Sequence, residues 1–183
     1  EQAAWELDQR INRRGVMIDR QLVGEAIGMS NEHTLALQDE AKLLTGLENP
    51  NSVAQLKGFF GVDSLTKKDV EAMREEAQGK EDRVLEIRQE LGLTSIKKYQ
   101  AMANTVCKDG RIRGLFQFYG AGRTGRWSGR LVQLQNLKRN YLPDLSMARD
   151  LVRDGDVEGV KLLFGNVPGT LSELIRTALI PSP

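Results

Sequence analysis

Lys108-Asp109-Gly110-Arg111-Ile112-Arg113-Gly114-Leu115-Phe116-Gln117-Phe118-Tyr119 is the stretch on which the fold class turns. Asp109-Gly110 is a turn signal, and Ile112 to Tyr119 has the aromatic content and alternation of a strand. The residues before it read as helix. The residues after it, Gly120 to Asn136, are rich in Gly, Arg and Gln and lack the apolar period of either element. They are expected as an ordered, surface-facing loop with short strand pieces. The chain therefore reads as α+β and predominantly α-helical. Long helices are joined to a small antiparallel β hairpin and loop region and to short C-terminal helices.

Working back from that boundary, Ala4, Leu7 and Ile11 share one helical face, which Arg14-Gly15 closes. Val16-Met17-Ile18 is a short extended stretch. Asp19 can cap a long helix through Leu22, Ala26, Met29, His33 and Leu37 to about Leu44, with Gly46 as its stop. Asn49-Pro50-Asn51-Ser52 is a turn, and Ser52 with Gln55 fits a capping box for a helix carrying Val53, Leu56, Phe59 and Phe60. Thr66 with Asp69 opens another, to about Ala77. From Lys80 a helix with Val84, Leu85, Ile87 and Leu91 inward is expected to continue through Ile96 to about Val106. Gly92 weakens it by about 1 kcal/mol relative to Ala.

Working forward, Pro143 to Asp154 is helical, with Leu145, Ala148, Leu151 and Val152 inward and Gly155 as the stop. Asp156 can cap a short helix through Val160 and Phe164. Thr170 with Glu173 fits a further capping box for Leu171 to Leu179, and Pro181 ends it.

At 183 residues the chain can bury a core as one domain or two small ones. No apolar run approaches the roughly 20 residues of a membrane span, so no membrane partner is expected. Glu1-Gln2-Ala3-Ala4-Trp5-Glu6 lacks the basic start and apolar run of a signal peptide. It also opens without methionine, as a piece cut from something longer would. Cys107 is the only cysteine, which points to a reducing cytoplasm and an inert, half-buried thiol. His33 is alone too, and with no second ligand at metal spacing it reads as structural.

The net charge of +1 conceals a segregation. Gly110 to Pro143 contains no Asp or Glu, yet holds Arg111, Arg113, Arg123, Arg126, Arg130, Lys138 and Arg139. Removing those seven from the 26 basic residues leaves 19 against 25 acidic ones, a net of −6. An acidic body with one concentrated basic segment attracts a polyanion locally, because each cation placed on a phosphate releases condensed counterions. Gln133, Gln135 and Asn136 add amides that can reach base edges and sugars.

Gly120-Ala121-Gly122-Arg123-Thr124-Gly125 matches G-x-G-x-x-G, but the dinucleotide reading needs a helix to begin there. Arg126-Trp127-Ser128-Gly129-Arg130 has no helical period, and a Walker loop would need Lys and Ser/Thr after Gly125. Asp109, Asp144, Asp150, Asp154 and Asp156 are the acids nearest the basic segment. They sit at a turn, at helix starts and on polar helix faces, where solvation and dipole compensation account for them. No catalytic or metal-binding residue is assigned.

Thr124-Gly125-Arg126-Trp127-Ser128-Gly129-Arg130-Leu131-Val132-Gln133-Leu134-Gln135-Asn136 resembles the T-G-R-x-S-x(4)-N-L-Q-N signature of family A DNA polymerases. Other blocks follow in the family's order. Arg14 to Asp19 resembles the stretch leading into the thumb. Asn49-Pro50-Asn51-Ser52 with Gln55-Leu56 resembles the thumb tip. Arg88 to Tyr99 resembles the long thumb helix, and Leu174 to Ile180 resembles the region just before the first catalytic Asp. The likeness spans nearly the whole chain.

The resemblance implies a helical thumb at 1–108 and the start of a palm at 109–183, with an extra helical insertion at about 138–169. It implies a parent enzyme of the nucleotidyltransferase class that replicates DNA with magnesium in the cytoplasm of a bacterial or phage-infected cell. Its partners are double-stranded primer–template DNA and the remainder of the polymerase chain. Arg126 would meet the duplex from the minor groove, Gln133, Gln135 and Asn136 would line it, and Thr124 would set the loop. Arg123 and Arg130 belong to the same DNA-binding set. Lys97, Asn49, Asn51 and Ser52 would hold backbone phosphates, Ser52 through a helix N-terminus.

The departures from the family pattern are definite. Gln133 replaces the usual Asn, and Thr94 and Ser95 replace a lysine one turn before Lys97. The helical stretch between Lys138 and Gly169 resembles the phage and prophage branch. The chain stops at Pro183, where the metal-binding Asp motif is expected to begin, so this piece alone is not expected to polymerise. The alternatives are a stand-alone nucleic-acid-binding module, for RNA as well as DNA, and a nucleotide-dependent enzyme built on the Gly-rich loop.

Overall fold

A computed structural model describes residues 1–92 and 96–182. In chain order the elements begin with α1 (Gln2–Arg14), β1 (Val16–Ile18), α2 (Arg20–Thr45), α3 (Val53–Phe60), α4 (Lys67–Glu76), α5 (Lys80–Leu91) and α6 (Ile96–Thr105). They continue with β2 (Arg111–Ile112), β3 (Phe116–Ala121), β4 (Arg126–Gly129), α7 (Leu145–Arg153), α8 (Val157–Phe164), α9 (Val167–Leu174) and β5 (Leu179–Ile180). Single 3-10 turns occupy Leu134–Asn136 and Ile175–Ala178. The fold is α+β and mostly helical, with small antiparallel sheets.

The chain forms two compact units, Glu1–Ser30 with Thr94–Pro183, and Asn31–Leu93. Residues 1–30 join the unit that holds the C-terminal part through strand pairing: β1 lies between β2 and β5, with Val16 opposite Ile112 and Met17 opposite Ile180. Gly15 makes this possible. Its φ is +68°, and a Cβ there would lie 2.5 Å from the Ile112 carbonyl oxygen.

The core of the first unit gathers Leu22, Ala26, Tyr99, Met102, Ile112, Val132, Val152, Val160, Leu174 and Ile175. The Tyr99 hydroxyl donates to the Leu171 carbonyl (2.7 Å), tying α6 to α9, and burial pushes its pKa up. Asp19 caps α2 by accepting from the Leu22 N–H (3.1 Å). Its other oxygen takes Arg149 and Arg153 of α7, which fastens the 138–169 stretch to the start of α2.

In the second unit Leu56, Leu65, Val70, Val84 and Leu85 form one core, and Leu37, Ala41 and Ile87 another. Thr66 and Asp69 make the reciprocal capping box expected of them. Ser52 caps α3 by accepting from the Gln55 N–H, but the Gln55 side chain accepts from the Asn49 N–H instead of completing the box. His33 is structural: its Nε2 lies 2.9 Å from Glu90 Oε2.

Three local expectations are corrected. On α1 the buried residue is Asp8, whose carboxylate accepts from Gln9 and Asn12, while Leu7 is exposed. The expected strand from Ile112 to Tyr119 breaks into β2 and β3, because Gly114 takes φ +70° between them. Thr170 caps nothing. Asn166 accepts from the Gly169 N–H to start α9, Thr170 bonds back to the Asn166 carbonyl within that helix, and Glu173 is engaged elsewhere. The expected continuity of the helix between α5 and α6, and the Thr94 and Ser95 positions, lie outside the described residues.

Candidate nucleic-acid interface

The basic segment folds as a two-stranded ribbon followed by an irregular arm. β3 and β4 pair antiparallel, with Phe116 opposite Gly129, Gln117 opposite Ser128 and Ala121 opposite Arg126. The ladder bulges between Gln117 and Ala121, where Tyr119 adopts φ +55°. At Gly120 a Cβ would lie 1.9 Å from the Ser128 hydroxyl, so only glycine fits the bulge. Asn12 of α1 anchors the ribbon at its base. Its amide donates to the Phe116 carbonyl (2.9 Å) and accepts from the Phe116 N–H (3.0 Å).

The turn that carries Arg123 and Thr124 is closed by the Ala121 carbonyl, which accepts from the Thr124 and Gly125 N–H groups at 2.9 Å each. β4 begins directly afterwards at Arg126. No helix starts at Gly125, so the geometry that a dinucleotide pyrophosphate needs is not formed here. This removes the nucleotide-dependent reading of the Gly-rich loop.

Past the ribbon, Arg130 donates to the Gln117 side chain (3.0 Å), and Leu131 and Gln133 both take positive φ, near +55°. Buried Val132 and Leu137 pin the arm to the core, which leaves Gln133, Gln135 and Asn136 exposed. Gln135 lies over Gly129, where a Cβ would fall 2.0 Å from its Oε1. Asn136 donates to the Gln133 side chain (3.2 Å).

Three residues to which the sequence reading gave no part in the site hold this arm. Lys98 donates to the Asn136 carbonyl (3.1 Å), and desolvation lowers its pKa. Arg176 donates to the Leu137 and Lys138 carbonyls. Glu173 accepts from the Tyr141 N–H and from Lys138 (3.3 Å). The Tyr141 N–H is the first cause of a pKa held below the ordinary carboxylate value, and the Lys138 ammonium adds to it. Adjacent lysines at 97 and 98 were the available signal for Lys98. The contacts of Arg176 and Glu173 span more than 30 residues and leave no local pattern.

The seven basic residues divide by partner. Arg113 forms a two-pronged pair with Asp109 (2.6 and 2.9 Å), which holds that carboxyl down at about 2. Lys138 meets Glu173, and Arg111 is engaged by Ser182 and by the Arg14 and Gly15 carbonyls. Among the described residues Arg130 has only the neutral side chain of Gln117 as a partner. Arg123, Arg126 and Arg139 are exposed and have no carboxylate partner among the described residues. Arg123, Thr124, Arg126, Arg130, Gln133, Gln135 and Asn136 are thus brought onto one ribbon and arm. Lys97 is exposed on α6 beside the Lys98 that touches that arm.

Asn49, Asn51 and Ser52 belong to the other unit. There the Asn49 side chain accepts from the Asn51 N–H (3.0 Å), and the Ser52 hydroxyl caps α3. Asp144 and Asp156 are N-caps of α7 and α8. Among the described residues no group of three or more His, Cys, Asp or Glu is arranged to hold a metal ion. Among the described residues no helix is long and apolar enough to cross a membrane.

The chain is 51% identical to a DNA polymerase of Bacillus phage SP02 over 188 aligned residues that cover all of it. It spans 29% of that polymerase's length. No protein-family model matches the chain, and no solved structure matches it.

Proposed function

We propose that this chain is the primer–template-gripping part of a template-directed DNA polymerase of family A. Residues up to 108 take the thumb role and 109–183 the opening of the palm, with β1 joining the palm's small sheet. Arg126 faces the minor groove, with Arg123, Thr124, Arg130, Gln133, Gln135 and Asn136 along the same duplex. Lys97 and the Asn49–Asn51–Ser52 turn take backbone phosphates. Contacts of this kind tolerate any sequence, because phosphates and minor-groove acceptors barely distinguish bases. Nucleotidyl transfer, and the magnesium it uses, are assigned to the rest of such a polymerase.

The identity with the phage enzyme supports the polymerase assignment. The observation that carries the DNA-binding assignment is the set of exposed arginines on the acid-free segment that have no carboxylate partner among the described residues. A cationic ribbon that balanced its own charge would gain little from a polyanion. One that does not balance it releases counterions on contact.

Fluorescence anisotropy of labelled primer–template DNA tests the reading. Arg126→Ala and Lys97→Ala are each expected to weaken binding several-fold. Each should also flatten the plot of log affinity against log salt, Lys97→Ala by about 0.9 for its lost phosphate contact. Wild-type affinity and slope in both variants would remove the reading.

A further inference from the structure

From Phe116 to Gly129 no residue of the ribbon is fully buried, so packing alone gives it little hold on the body of its unit. It leaves that body just after Gly114, whose φ is +70° and where a Cβ would meet nothing within 4 Å. Such a joint has room to pivot. Among the described residues, the hydrogen bonds that tie the ribbon to anything outside residues 115–130 are the two that Asn12 makes with Phe116. The amide takes both backbone groups of Phe116, as a neighbouring antiparallel strand would.

Asp8, one turn earlier on α1, decides how that amide is turned. It is only 3% exposed, and a carboxylate is costly to bury. Its Oδ2 accepts from Asn12 Nδ2 (3.1 Å), while Oδ1 has no partner among the described residues. A carboxylate can only accept, so the NH2 end of Asn12 must face it, and the oxygen end is left to take the Phe116 N–H. Arg113 adds a clamp on the other side of Gly114 by donating to the Arg13 carbonyl (2.8 Å). The last turns of α1 thus hold the chain on both sides of the joint.

We propose that Asp8 and Asn12 are positioning residues for DNA binding: they fix the direction in which the ribbon carries Arg123, Thr124 and Arg126, without touching DNA themselves. The inference rests on the DNA-binding reading above and adds the device that orders the ribbon before DNA arrives. Positioning and contact separate by their physics. A ribbon that must be ordered during binding loses affinity, because its conformational entropy is then lost in that step. The phosphates met in the complex stay the same, so the salt slope does not change. Residues that only stabilise the fold would leave the affinity of the folded chain alone.

The experiment uses the 183-residue chain carrying Trp5→Phe, in which Trp127 of β4 is the one tryptophan and reports on the ribbon. Time-resolved emission anisotropy of Trp127 is read in the free chain. Affinity for labelled duplex DNA is measured across salt, under conditions where circular dichroism shows the helices intact. Asn12→Ala is expected to add a fast component to the Trp127 decay and to weaken duplex binding several-fold at an unchanged salt slope. Asp8→Asn keeps the shape and an acceptor but adds a donor, so the Asn12 amide can turn over. The same two changes are expected, smaller, and this variant carries the test if Asn12→Ala does not fold. A wild-type Trp127 decay or wild-type affinity in a folded variant overturns the positioning role and leaves salt-dependent DNA binding standing. A flattened slope overturns it too, since fewer phosphates would then be met in the complex. Absence of DNA binding by the parent chain removes the DNA-binding reading and the positioning role together.

Discussion

Arg74 and Arg83, among the helices of residues 31–93, carry the same side chain as Arg123 and Arg126 on the ribbon, but under opposite arrangements of acid. Arg83 grips Glu40 with two nitrogens (2.7 and 2.8 Å) and Glu86 with a third (2.6 Å). Arg74 reaches Asp82 at 2.8 Å and Gln89 at 2.9 Å. Acids interleaved along α2 and α5 turn those guanidiniums into braces of the fold. On the ribbon no acid exists within reach in sequence, and the guanidiniums stay exposed. Placement of carboxylates, more than placement of arginines, decides which of them is available to a ligand.

Three substitutions sharpen that contrast. The largest effect is expected away from both arginine sets, in the core beneath the ribbon. Tyr99→Phe leaves the buried Leu171 carbonyl without its donor and should cost about 1–3 kcal/mol of stability. A denaturant titration measures it, and the salt slope of DNA binding should not move.

Glu173→Gln comes next, at about 1 kcal/mol near neutral pH, since it replaces a charge-assisted acceptor by a neutral one. The folded pKa of Glu173 lies below its ordinary 4.5. Its contribution is therefore fully present above about pH 4.5 and is lost as pH falls through the lower folded value. The wild type should lose this increment of stability on acidification, and the variant should not, as melts across pH will show.

Smallest is Arg83→Ala, at about 0.5 kcal/mol, because the pair is more than one-third exposed. It should leave DNA affinity at the wild-type level. A matching loss of affinity would break the distinction between bracing and binding arginines.

Much of the fold was legible because its signals are local. Asp19, Ser52, Thr66 and Asp156 start helices as their spacing predicted, and Gly15, Gly46 and Gly155 end them with positive φ. The failures occur where distant partners override local pattern. Thr170 and Glu173 have the spacing of a capping box, yet Asn166 supplies the cap and Glu173 is claimed by Tyr141 and Lys138. Asp8 is buried on α1 by packing that no heptad pattern announces. The pairing of β1 with β2 and β5 joins residues more than ninety positions apart, which no local signal announces.

At the candidate site the sequence identified the acid-free segment and its exposed amides. It did not separate Arg113, which Asp109 neutralises, from Arg126, which has no carboxylate partner among the described residues. That distinction depends on how the chain turns at Gly110 and Gly114.

A salt titration of duplex DNA binding by the chain carrying Arg123→Ala, Arg126→Ala and Arg139→Ala together tests the central claim most directly. The account predicts a slope of log affinity against log salt that is shallower than wild type by about 2 to 3, with each lost phosphate contact contributing about 0.9. A triple variant that retains both the wild-type slope and the wild-type affinity would contradict it.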